Sequence, residues 1–170
     1  KIRESLSKKF LELPEDFLSK MRHFQPQIGC FNNCSFCSKF AVCESEFWDE
    51  KNLKNILSAI KYTASNYSNG DILLAWNREE HRVGVNFPYL DNDIGSYLYL
   101  DKFLGLCYKE LGIKNRLSTV GYSRHNKELN DMHKRICSSE LIDTLAGVRL
   151  SLAQYGRAWE DKENASLEEY

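Results

Sequence analysis

Apolar residues return at helical spacing along much of this chain, and short apolar or alternating runs separate the helical stretches. Ile2, Leu6, Phe10 and Leu13 recur about once per turn, Pro14 interrupts them, and Phe17, Leu18 and Met21 follow. This predicts a helical N-terminal arm over residues 1–22, packed on whatever comes next. Phe24 to Ile28 reads as a first strand that includes Pro26. Leu53, Ile56, Leu57, Ile60 and Ala64 fall on one face of a helix over 51–66, and Asn69-Gly70 then marks a turn. Asp71 to Trp76 is a short apolar run suited to a buried parallel strand. A polar stretch over 77–95 contains Pro88 and leads to a helix over 97–111, with Ser96 as its cap and Gly112 as its stop. Arg116 to Tyr122 predicts a third strand, and Asn126 can cap a helix over 127–139 that buries Leu129, Met132 and Ile136. Gly147 to Ala153 alternates Val148, Leu150 and Leu152 against Arg149, Ser151 and Ala153, the pattern of a fourth strand. The tail from Glu160 is charged and unpatterned.

Strands alternating with helices of this length imply βαβ units and a parallel sheet. Right-handed crossovers curl such units into a barrel or part of one. The expected fold class is therefore α/β, a partial (β/α) barrel of parallel strands with outer helices, occupying residues 23–170. Four strands are fewer than a closed barrel uses, so an incomplete barrel is expected. In such folds the chemistry sits at the C-terminal ends of the strands.

Composition narrows the class only a little. With 42% hydrophobic and 28% charged residues, the chain has what an ordinary globular core needs. A net charge of −1 gives no nucleic-acid signal, and no apolar run reaches the length of a membrane span. Lys1 rather than Met begins the sequence, as expected for a segment of a longer chain. There is no convincing internal repeat or low-complexity linker.

The chemistry gathers in Ile28-Gly29-Cys30-Phe31-Asn32-Asn33-Cys34-Ser35-Phe36-Cys37, directly after the first predicted strand. Three thiolates spaced C-x3-C-x2-C can hold three corners of a cubane iron–sulfur cluster and leave one iron open. Structural zinc is the first alternative, but it usually asks for a second ligand pair. Cys43, Cys107 and Cys137 are isolated, and His23, His81, His125 and His133 are scattered. Disulfides are the second alternative, although the six cysteines do not form a framework through a small loop-rich domain. Reduced thiols point to a reducing, cytoplasmic setting. The three cysteines outside the triplet are expected to be buried small hydrophobes.

The triplet, with the aromatic Phe36 before its last cysteine, resembles the cluster loop of the radical S-adenosylmethionine superfamily. The resemblance covers about Phe24 to Tyr155. It implies a [4Fe-4S] cluster on Cys30, Cys34 and Cys37, with S-adenosyl-L-methionine as the second cofactor. It further implies that Phe36 lies near adenine, and that Ser151 and Thr119, with Gly121, stand at strand ends near the cofactor. Many members end the second strand in Gly-Gly-Glu, which receives the methionine amino group. Here that strand ends Ala75-Trp76-Asn77, so the backbone carbonyls of Ala75 and Trp76 are the matching acceptors, with Glu79 and Glu80 nearby. The implied activity is reductive cleavage of S-adenosylmethionine to a 5′-deoxyadenosyl radical that abstracts hydrogen from a substrate. Such an enzyme needs an electron donor, such as flavodoxin or ferredoxin. Its substrate is a peptide or a small molecule, and the rival class is a zinc-binding, non-enzymatic interaction module.

Other polar segments carry two readings each. Tyr122 to Asn126 either contacts substrate or merely caps a helix, and Arg78 to Arg82 is either a solvated loop or the mouth of a site. The Tyr- and Asp-rich run from Tyr89 to Tyr99 either recognises substrate or packs on the barrel as an ordered loop.

Overall fold

In the computed structural model, which describes residues 2–14, 17, 21–30, 46–67, 84–120 and 126–150, the start of the chain is helix α1, Ile2–Leu11. Beyond Pro14 the rings of Phe10 and Phe17 meet at 6.3 Å between centroids. Both rings, with Met21, pack on the main core.

Strand β1, Gln27–Ile28, departs from expectation. It is shorter than the run predicted from Phe24, and it pairs antiparallel with β2, Glu46–Phe47, rather than joining the parallel sheet. Pro26 explains part of this, because a residue without an N–H cannot donate to a ladder. Its carbonyl instead accepts from the Trp48 backbone N–H at 3.1 Å. The preceding residues do run beside the sheet, held by a side chain. Asn86 accepts from the Phe24 backbone N–H at 2.9 Å and donates to the Phe24 carbonyl at 3.0 Å.

Helix α2, Glu50–Tyr67, forms where its periodicity places it, and Leu53, Ile56, Leu57, Ile60 and Ala64 are all buried. Asp49 caps it by accepting from the Asn52 N–H at 2.8 Å. α1 lies against this helix. The strand predicted over 71–76 lies outside the described residues.

Strand β3, Val85–Asn86, precedes a single 3-10 turn at Ile94–Ser96 and helix α3, Leu100–Leu111. Ser96 does not cap α3; its hydroxyl donates to the Asp93 carbonyl and helps close the 3-10 turn. Residues 97–99 stay outside the helix, and the Tyr97 phenol donates to the Trp48 carbonyl at 2.6 Å. At the other end Gly112 takes φ 66 and ψ 16, a left-handed stop that glycine adopts at least cost.

Strand β4, Lys114–Thr119, begins and ends earlier than predicted. Helix α4, Lys127–Ile136, is capped by Asn126, whose side chain accepts from the Leu129 N–H at 3.1 Å. The single helix predicted to 139 breaks at Ser138, which is extended and whose hydroxyl donates back to the Arg135 carbonyl. A short helix, α5, Ser139–Ile142, then leads to β5, Leu145–Leu150. Cys107 is buried as expected, whereas Cys137, beside this break, is exposed. Cys43 lies outside the described residues.

β3, β4 and β5 form a parallel sheet in that order, flanked by helices. One face of β4, Asn115, Leu117 and Thr119, is buried, with Leu117 in a core shared with α2, α3 and α4. The alternate residues Lys114, Arg116 and Ser118 lie on the other face, which is more exposed. Opposite β4, Ala146 is the extra residue between the pairs Asn115–Leu145 and Arg116–Gly147. Val148 and Leu150 share the side of Leu117 but stay 51% and 42% exposed, so the helical layer covers β4 far better than β5. No helix among the described residues is long and apolar enough to cross a membrane.

Phe103 is fully buried, its ring 5.9 Å from Phe24 and 6.4 Å from Tyr97. Phe103→Ala should therefore cost about 3–5 kcal/mol, read as a lower urea midpoint at unchanged slope. A loss under about 1 kcal/mol would place the core elsewhere.

Candidate functional site

The chain enters the cysteine triplet under tight local control. Gln27 is 3% exposed, and its side-chain amide donates to the Gly29 carbonyl and to the Ser96 hydroxyl, both at 3.3 Å. Asn92 donates to the Gln27 carbonyl at 2.9 Å. Cys30 follows directly and is half-buried. The far end of the same segment is held as well, because β2 pairs with β1 and the Tyr97 phenol grips Trp48. Burial, reinforced by Tyr99 and Cys107, pushes the Tyr97 phenol far above its ordinary range, so it remains a hydrogen-bond donor at any physiological pH.

Asp93 joins this entry to the end of β4. Its buried carboxylate accepts from the Gly95 N–H at 2.9 Å, the Val120 N–H at 2.8 Å and the Thr119 hydroxyl at 2.5 Å. Charge-assisted bonds of this kind are the strong ones. Gly95 makes the approach possible: a Cβ built there would lie 2.2 Å from Thr119 Oγ1 and 3.0 Å from Thr119 Cβ. His133 of α4 completes the group, with Nε2 2.7 Å from the Gly95 carbonyl. A carbonyl only accepts, so Nε2 is the protonated nitrogen.

Burial lowers the His133 pKa, against the opposing pull of the Gly95 carbonyl. The folded protein therefore favours neutral His133. Stability from this group is present above about 6.5 and lost as pH falls through the lowered folded value.

The residues marked out by sequence divide clearly. Cys30 and Thr119 are described, and the chain Gln27–Ser96–Asp93–Thr119 links their neighbourhoods. Thr119 stands on the helix-covered face with its hydroxyl proton given to Asp93, so any cofactor contact from it would have to be through a lone pair. Ser118, its neighbour, lies on the opposite face in register with Arg149. Cys34, Cys37, Phe36, Ala75, Trp76, Ser151 and Gly121 lie outside the described residues, as do Arg78 to Arg82 and Tyr122 to His125. Among the described residues no three His, Cys, Asp or Glu side chains converge to hold a metal ion. Cys30 is the one member of the triplet within them.

Asp93, Gly95, Gln27 and His133 were not visible as a group from the sequence. The Asp-Ile-Gly-Ser run at 93–96 does carry a turn signal, since an Asp side chain caps such a turn readily. Of the two readings of Tyr89 to Tyr99, an ordered packed loop holds for Asp93, Ile94 and Tyr97, all buried.

No protein-family model matches the chain, and no curated protein or solved structure matches it either.

The contact between Gly95 and Thr119 can be measured by a double-mutant cycle. Gly95→Ala should destabilise by about 1–3 kcal/mol through overpacking. Thr119→Ala should cost about 1.5–3 kcal/mol for the lost bond to a carboxylate. In the double variant part of the clash disappears, so its cost should fall short of the sum. Strict additivity in urea unfolding would show that the two positions do not touch.

Proposed function

We propose that this chain is a radical S-adenosylmethionine enzyme, with a [4Fe-4S] cluster held by Cys30, Cys34 and Cys37. The observation that carries the reading is the C-x3-C-x2-C triplet with Phe36, whose first member, Cys30, directly follows residues tied to the network that ends β4. The donor set fits: three soft thiolates on a few residues suit iron–sulfur chemistry and leave one cluster iron without a protein ligand. A bound cluster would supply the single electron, drawn from an external donor, for reductive cleavage of S-adenosylmethionine, the implied source of the hydrogen-abstracting radical.

The chain's own residues bind and orient. Gln27, Asn92 and Ser96 hold the chain as far as Gly29, the residue before Cys30. Phe36, the carbonyls of Ala75 and Trp76, and Ser151 are the residues proposed to contact S-adenosylmethionine. The Asp93 network joins the end of β4 to the residues that precede Cys30. The sheet is read as part of a (β/α) barrel, with helices α2, α3 and α4 outside and the face of Ser118 and Arg149 inside. A reducing cytoplasmic setting, an electron donor of the flavodoxin or ferredoxin kind, and a peptide or small-molecule substrate belong to the same proposal.

Protein purified without oxygen should carry about four iron and four sulfide per chain. Cys30→Ala, Cys34→Ala and Cys37→Ala should each abolish that content, while Cys43→Ala preserves it. One zinc per chain with no iron would replace this reading with a zinc-binding interaction module. With dithionite and S-adenosylmethionine, the cluster-loaded protein should release 5′-deoxyadenosine, and its failure to do so would remove the mechanism.

Ser151→Ala tests the cofactor contacts separately. The variant should keep its cluster spectrum but bind S-adenosylmethionine more weakly by about 0.5–1.5 kcal/mol, the worth of one neutral hydrogen bond. Equal affinity, titrated through the electron-spin signal of the cluster, would take Ser151 out of the site.

A further inference from the structure

We propose that the open face of the β4–β5 ladder receives an oxyanion group of the substrate, a carboxylate or a phosphate. The proposal deepens the function proposed above and rests on that reading for the word substrate. The anion-binding surface itself rests only on what the sheet presents.

Three cations share this face. Lys114 and Arg116 stand two residues apart on β4, and Arg149 stands on β5 in register with Ser118. Arg116 lies opposite Gly147, so Arg116 and Arg149 are diagonal neighbours across the ladder, roughly 7–8 Å apart at the backbone. That separation is well within the reach of two arginine side chains toward one ligand. Gly147 carries no side chain to keep them apart, and Arg116 Nε passes 3.9 Å from where a Cβ on Gly147 would stand. Both arginines are exposed, and Ser118 between them adds a hydroxyl that can donate.

No acidic side chain among the described residues compensates this group. Among the described residues no ion pair involves Lys114, Arg116 or Arg149. A second cation-rich surface among the described residues, a cleft of about 500 Å³ between α2, α3, α4 and α5, is different in this respect. There Lys54 pairs with Glu50 at 2.6 Å and Arg135 with Asp101 at 2.7 Å, so two of its cations already have carboxylate partners. On the sheet face the charges repel one another until an anion arrives. Guanidinium groups present forked donors that match both carboxylate and phosphate oxygens.

The face also lies where a substrate would need it. Arg149 and Ser118 are near the C-terminal ends of their strands, the end at which the Asp93 network meets the entry to the cysteine triplet.

The test uses the full chain, purified without oxygen, with iron measured on the same sample. Tricarballylate and inorganic phosphate are titrated separately by calorimetry at low salt. One of the two should bind saturably at one site per chain, and the preferred probe identifies the substrate group as carboxylate or phosphate. Arg116→Gln and Arg149→Gln should each weaken that binding by about tenfold or more, the loss expected for a charge-assisted contact. Lys54→Gln, on the remote helical surface, should leave it unchanged, and circular dichroism should show all three variants folded. Three results would overturn the proposal: neither probe binds, the arginine variants bind as well as wild type, or S-adenosylmethionine displaces the probe and claims the face for the cofactor. Iron-loaded protein without probe binding rejects the anion face and leaves the cluster reading intact. Probe binding through both arginines in a chain that never holds iron rejects the cluster reading, and with it the assignment to a substrate.

Discussion

The Asp93 carboxylate is the interaction on which this arrangement depends. Buried and charged, it is tolerable only because donors surround it: two backbone N–H groups and the Thr119 hydroxyl. Those donors come from the 3-10 turn and from the end of β4, so meeting the needs of one carboxylate fixes two distant pieces of chain against each other. Its own backbone carbonyl then holds Ser96, and Ser96 receives Gln27. The entry to the cysteine triplet thus inherits its position from a charge it never touches.

The sheet is built on a second polar element inside an apolar layer. Asn86 and Asn115 are fully buried side by side on β3 and β4, and Asn86 donates to Asn115 at 2.9 Å while bridging both backbone groups of Phe24. A leucine at position 86 would pack as well, yet it would leave the Phe24 backbone groups without these partners in the interior. The amide therefore supplies the ladder contacts that the segment beside β3 does not make with its own backbone. Around this pair the helices cover one side of the sheet, and the charged side chains of β4 and β5 are gathered on the other.

Helices α2, α3 and α4 were legible because each repeats its apolar residues over several turns, so Leu53 to Ala64 or Leu129 to Ile136 could hardly lie on different faces. The stop at Gly112 and the cap at Asn126 were legible for a local reason, since each acts within one turn. The β1–β2 pairing was not, because two residues per strand are too few to show a period, and Glu46–Phe47 has no turn signal beside it. The Asp93 group was hidden for a different reason: a buried aspartate and an exposed one look alike until Gly95 and Thr119 are brought together from 24 residues apart. Of the candidate site, the cysteine triplet could be read as a motif. Which side of β4 is left open could not, because that depends on the layer covering Thr119 rather than Ser118.

The short β1–β2 pairing has a thermodynamic consequence. Holding Ile28 beside Glu46 costs chain entropy, about 2.5 kcal/mol for closing a loop of this length. The fold meets that cost with contacts from Gln27, Asn92, Tyr97 and Trp48, before anything binds between them. Any group captured by the intervening segment is spared it and binds more tightly for that reason. The coupling would also run backwards: by linkage, a ligand on the intervening residues would stabilise the β1–β2 pair and, through Ser96 and Asp93, the end of β4. Filling the segment and firming the sheet are then two readings of one equilibrium.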